Sequence, residues 1–220
     1  MDWTAIASIA GAVLTAVTAI VTLALNQYVA TKARSDDVLR SAIASLTNEQ
    51  PTARSLAVPM LVRFSRDKVY FADVLQSLCT VIRFERDIYF IQRVFEGIGQ
   101  LGERNAFAVQ QALSELRVSL VHDLLRQIGE YAADHHVAED AIAAQVAAFS
   151  PEGRNAIAPV INANSEELRH QIAASELLAL PDGRSRDVYR KWSVRITSAS
   201  IVQLDHVVRH LAAVQTTSAQ

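Results

Sequence analysis

One stretch constrains this chain more than any other. From Ala5 to Leu25 the sequence AIASIAGAVLTAVTAIVTLAL carries no charged residue. A helix of about 20 apolar residues, rising 1.5 Å each, spans the ~30 Å hydrocarbon core of a bilayer. Trp3 and Tyr28 bracket the run, where interfacial aromatics belong. A cleaved signal peptide would need a positive n-region and a shorter apolar run, and the only charged side chain before the run is Asp2. The sequence therefore predicts an uncleaved single-pass transmembrane helix over residues 5–28, behind a short extracytoplasmic N-terminus at 1–4.

The flanks predict its orientation. Lys32, Arg34 and Arg40 follow the run, and no Lys or Arg precedes it, so the bulk of the chain is expected in the cytoplasm. A single cysteine, Cys79, excludes a disulfide framework and suits a reducing compartment. Arg outnumbers Lys 18 to 3, a usage common in high-GC bacterial proteins, so the expected location is a bacterial inner membrane.

The apolar run has two faces. Thr4, Ser8, Gly11, Thr15, Thr18 and Thr22 are spaced 4, 3, 4, 3, 4, a heptad seam of small or hydroxylated residues, while Ile6, Ile9, Val13, Val17, Ile20 and Leu23 fall opposite. In lipid, helices associate through close backbone approach and interhelical hydrogen bonds, so the seam predicts a homo-oligomer. A hydroxyl seam around an axis is also the lining of a narrow pore. The bland alternative is that each Thr hydroxyl bonds back to its own i−4 carbonyl.

Beyond the run the periodicity is helical throughout. Val109, Leu113, Leu116, Leu120, Leu124 and Ile128 mark one face of a long helix. Phe71, Val74, Leu75, Leu78 and Ile82 form a second stripe, in a stretch expected to be deeply buried, and Ile88, Ile91, Phe95, Ile98 and Leu101 a third. Pro51 and Pro151 suit first helical turns. Ser165-Glu166-Glu167 opens a helix with acid at its positive end, and Pro181-Asp182-Gly183 reads as a helix stop. The expected class is all-α: the membrane helix, a juxtamembrane linker or helix continuation at 29–40, a cytoplasmic multi-helix domain at 41–214 and a disordered tail at 215–220.

Residues 41–65 and 140–165 hold a faint repeat. Ala42-Ile43-Ala44 matches Ala141-Ile142-Ala143, and Pro51, Arg54, Pro59 and Ser65 match Pro151, Arg154, Pro159 and Ser165. The stretch AIASLTNEQPTARSLAVPMLVRFSRD, followed by VLQSLCTVIR (residues 42–84), resembles a HEAT-like helical hairpin. It is similar to the membrane-proximal helical segment of some bacterial membrane-anchored pentapeptide-repeat proteins. The chain departs from them in having no A-[DN]-L-x-x run. The resemblance implies a HEAT-like or irregular helical scaffold beside a membrane helix and no catalytic residue.

Four clusters could carry chemistry. Gly97-Ile98-Gly99-Gln100-Leu101-Gly102 fits GxGxxG, but a dinucleotide site needs a strand before it, and the preceding residues are helically periodic. Close helix packing explains the glycines better. Asp134-His135-His136-Val137-Ala138-Glu139-Asp140 is rich in metal-ligand types, yet adjacent histidines on a helix diverge. His206 and His210 share a helical face without an HExxH context. Arg184, Arg186, Arg190, Lys191, Trp192 and Arg195 make a basic patch with interleaved aromatics, suited to anionic lipid or a protein partner. A formal net charge of −2 makes nucleic acid an unfavourable partner. No Walker A, GxSxG or HExxH sequence is present, and no cofactor is expected. The expectation is a non-enzymatic, self-associating membrane scaffold or adaptor for an unidentified cytoplasmic protein, with an oligomeric pore-forming effector as the alternative.

Overall fold

The computed structural model describes residues 3–135, 141–142, 154–176 and 184–218, with backbone alone at 3–21, 154–156, 176, 184–187 and 217–218. The described residues are all-α. Helix α1 spans Trp3–Ser45, α2 Pro51–Phe64, α3 Lys68–Phe84, α4 Ile88–Gly102 and α5 Ala106–His135; α6 spans Arg154–Ala163, α7 Ser165–Glu176 and α8 Arg184–Ser218.

Local chemistry sets several boundaries. Pro51 starts α2 at a position where its missing N–H costs nothing. The Asp67 carboxylate accepts from the Val69 N–H and caps α3, and Asp87 does the same for α4 through Tyr89 and Phe90. Residues 29–40 are a helix continuation rather than a linker, because α1 is unbroken to Ser45. Helix α8 runs through the start of the expected tail, to Ser218.

Helices α2 and α3 form one antiparallel hairpin, and α4 and α5 another. They stack so that α2 lies against α4 and α3 against α5, while α8 runs back along both α4 and α5. Helix α7 packs on α5 and α1 on α2. Val109, Leu113, Leu116, Leu120, Leu124 and Ile128 are all buried, as their spacing predicts. Each such side chain stabilises the fold by about 1.5–3 kcal/mol. The stripe on α3 is shallower than expected: Val74, Leu75, Leu78 and Ile82 are buried, but Phe71 and Cys79 are only partly so.

The two repeat copies bury matching positions, Ala57 with Ile157 and Leu61 with Ile161, and each carries an internal proline, Pro59 or Pro159. Of the first helix in the second copy, only Ala141 and Ile142 belong to the described residues.

Ion pairs and glycines fix how the hairpins meet. Arg54 of α2 reaches the α3–α4 turn, pairing with Glu85 at 2.7 Å and Asp87 at 3.5 Å, its guanidinium 5.0 Å from the Phe90 ring centre. Arg83 holds Asp123 with two hydrogen bonds, joining α3 to α5. Gly97 lies against Val58, where an added Cβ would come within 2.8 Å. Gly102 lies against Leu211 of α8, and Gly129 admits the Gln171 backbone of α7. Gly99 faces open space.

Candidate functional site

The body has two ends, and α1 defines them. Asp36 of α1 accepts a 2.7 Å hydrogen bond from the Tyr70 hydroxyl near the start of α3. One groove is lined by Lys32, Asp36 and Ile43 of α1, by Leu46 just after it, and by Val69, Tyr70, Ser77 and Val81 of α3, so the two helices run parallel. The N-terminal part of α1 therefore continues beyond the end of the body that holds the α2–α3 and α4–α5 turns. The opposite end holds the N-terminus of α2 and the α3–α4 turn.

Every described side chain from Thr22 to Arg34 is exposed, including Leu23, Leu25, Tyr28 and Val29 at 58–67%. Burial in α1 begins with Leu39 and Ala42, and Leu46 just after the helix is buried too. Of the hydroxyl seam, Thr22 has a described, exposed side chain, whereas Thr4, Ser8, Gly11, Thr15 and Thr18 lie outside the described side chains. Thr31, further along the same helix, donates to the Gln27 carbonyl at 2.8 Å, the back-bonding that threonine makes readily. Among the described residues no helix is long and apolar enough to cross a membrane; of the run at 5–25, only residues 22–25 have described side chains.

The basic patch on α8 is divided by the fold. Arg190 pairs with Asp134 of α5, and Lys191 lies 5.8 Å from the Tyr131 ring centre. Both are turned toward the body. Trp192 stays 44% exposed with Arg195 stacked 5.8 Å from its ring centre, and Tyr189 is 57% exposed. The side chains of Arg184 and Arg186 lie outside the described residues. Arg86, from the α3–α4 turn, lies beside the Tyr189 hydroxyl and lowers its pKa by hydrogen bonding, then by charge. What faces outward at this far end is an aromatic surface, Tyr189 and Trp192, edged by Arg86 and Arg195. Sequence reasoning missed Arg86, which lies over 100 residues away in the chain.

The other clusters have structural work. Gly97–Gly102 sits inside α4, preceded by helix, and two of its three glycines make close helix contacts. His135 stacks on Tyr131 at 4.1 Å, and its Nδ1 lies 2.9 Å from the Tyr131 carbonyl oxygen. His136–Asp140 lie outside the described residues, among which no group of three or more metal-ligating side chains assembles. His206 and His210 are both exposed, and neighbouring Asp205 pairs with Arg117 of α5 at 3.1 Å. Burial, with Glu115 nearby, pushes the Cys79 thiol up to about 12, which keeps it unreactive. Between α5 and α8 the buried Thr197 hydroxyl donates to Gln127 at 3.1 Å, a polar contact with no ligand chemistry.

No family model, curated protein or solved structure matches the chain.

Proposed function

We propose that the protein is a non-enzymatic, single-pass membrane-anchored helical scaffold or adaptor, self-associating through α1 and presenting a protein-binding surface at the far end of its body. The observation that carries this reading is the exposed, projecting half of α1. An isolated helix with bare Leu23, Leu25, Tyr28 and Val29 is unfavourable in water, and the uncharged run at 5–25 precedes it without a break in the helix. A bilayer supplies the apolar solvent such a helix needs. The positive flank puts the body in the cytoplasm of a bacterial cell, with the N-terminus outside.

The stacked hairpins give the scaffold its rigidity, in keeping with a HEAT-like resemblance. The far-end surface suits an acidic protein partner, because aromatic side chains and arginine dominate binding energy at interfaces. Between Tyr28 and Ser45 the helix rises about 25 Å, which holds that surface away from the bilayer that anchors α1. Lipid is accordingly the poorer occupant of Tyr189, Trp192 and Arg195.

The test is the mass of the full-length protein in mild detergent beside a chain beginning at Ser35. Assembly of the full-length form alone assigns self-association to α1, and substituting Thr15 and Thr18 by Leu should then abolish it. Two monomers leave an anchored adaptor without the seam. Equal assembly of both moves the contact to the body. Ion flux through bilayers holding the full-length protein, lost with the same double substitution, would turn the reading to a pore.

A further inference from the structure

The end of the body from which α1 emerges has its own chemistry. Tyr28, Thr31, Lys32 and Ser35 of α1 share one small cavity with Asp67, Val69 and Tyr70 at the start of α3. Tyr28 is the aromatic that closes the apolar run. At 1.5 Å per residue it lies about 5 Å beyond Leu25, within the headgroup layer of about 5–7 Å on each side of a bilayer core. The α2–α3 turn is level with it. Arg104 ties the α4–α5 turn to the same place, donating to the Val62 carbonyl at 3.1 Å and the Ser65 hydroxyl at 2.8 Å.

This end exposes Arg63, Arg66 and Lys68, beside Lys32 of α1. Two large apolar side chains stand bare at this end, Val69 at 65% beside Lys68 and Phe107 at 76% in the first turn of α5. The acids nearby are Asp36, Asp37, Asp67, Asp73 and Glu103; Asp36 already accepts from Tyr70, and Asp67 already caps α3. Cations set around exposed apolar groups, at the height of an interfacial tyrosine, match an anionic lipid surface.

We propose that this end of the body docks on the anionic headgroups of the bilayer that holds α1. Arg63, Arg66, Lys68 and Lys32 meet lipid phosphates, while Val69 and Phe107 enter the interface. The inference rests on the anchoring reading above. Docking fixes the tilt of the body, so the aromatic surface at Tyr189 and Trp192 is held away from the bilayer at a set height. Each basic residue near such a surface changes the ratio of docked to undocked protein about fivefold.

The native tryptophans, Trp3 and Trp192, allow a direct test in vesicles whose lipids carry bromine near the headgroup. Full-length W192F reports on the start of α1, W3F on the far end, and W3F/W192F/F107W on the docking end. Docking predicts strong quenching at position 107 in phosphatidylglycerol vesicles. Quenching there should fall several-fold in phosphatidylcholine alone, or when R63Q/R66Q/K68Q is added, while Trp192 stays unquenched in all. Position 107 as unquenched as Trp192, with Trp3 quenched, overturns docking and leaves anchoring intact. An unquenched Trp3 overturns anchoring; quenching at 107 then supports docking as a peripheral contact, and its absence overturns both. V69W in the same background replaces F107W if circular dichroism shows the latter has lost helix.

Discussion

Helix α8 has a largely polar composition, yet over its 35 residues it buries Val194, Ile196, Ile201, Leu204 and Leu211 in the common core. Helix α1 has 43 residues and is far more apolar, yet its buried described side chains are Leu39 and Ala42. In water the order would be reversed, since apolar surface is driven inward in proportion to its area. The proposed anchoring accounts for the contrast by giving the two helices different solvents. Helix α8 is held by the body, with its few apolar positions spaced to meet α4 and α5. On the proposed reading the first half of α1 is held by lipid, which its uncharged composition suits.

The largest effects should separate the two helices most sharply. Leu204→Ala and Leu211→Ala, at sites 0% and 1% exposed, should each cost about 2–5 kcal/mol in urea unfolding. Leu23→Ala and Leu25→Ala, at 61% and 58% exposure, should change the unfolding of the body by less than about 0.5 kcal/mol. They should instead lower the retention of the protein in vesicles. Equal losses of stability in both helices would break the comparison.

Arg54→Ala comes next. It leaves Glu85, whose side chain is 13% exposed, with only the Arg86 and Asp87 N–H groups as partners, and should cost about 2–3 kcal/mol by the same unfolding measurement. A loss below about 1 kcal/mol would mean that the α2–α4 corner is wetter than its geometry indicates. Smaller again is the glycine pair on α4. Gly102→Ala presses on Leu211 and should destabilise by about 1–3 kcal/mol. Gly99→Ala, with open space around it, should stabilise by up to about 1 kcal/mol.

The smallest effect sits where α1 joins the body. The hydrogen bond to Asp36 pushes the Tyr70 hydroxyl up from 10.0 to about 12. The folded state holds that proton more tightly than the unfolded chain. Its contribution is therefore complete below pH 10 and disappears as pH rises toward about 12. Unfolding followed across that window should show the decline in the native protein, and Tyr70→Phe should flatten it.

Much of the body was legible because helical burial leaves a periodic trace. The stripe from Val109 to Ile128 reads directly as one face. The glycines of α4 were legible too, as packing residues, because no strand precedes them. The contacts that lock the hairpins were not. Arg54 meets Glu85 across 31 residues and Arg83 meets Asp123 across 40, and periodicity carries no information about which charges face each other. The basic patch shows the same limit. A helix turns about 100° per residue, so Tyr189 and Trp192 share a face from which Arg190 and Lys191 are rotated away. Counting charges along the chain cannot make that division. Cys79 was read as deeply buried because its neighbours are apolar, but the residue sits at the margin of the α3 stripe, beside Glu115.

Amide hydrogen exchange along α1 of the full-length protein in lipid nanodiscs tests whether lipid holds this helix. An isolated helix in water opens and exchanges readily, whereas one in hydrocarbon has no alternative partners for its amides. If lipid holds α1, residues 5–25 exchange as slowly as the buried turns of α4 and α5, with residues 29–34 markedly faster. Rapid exchange across 5–25 would contradict it.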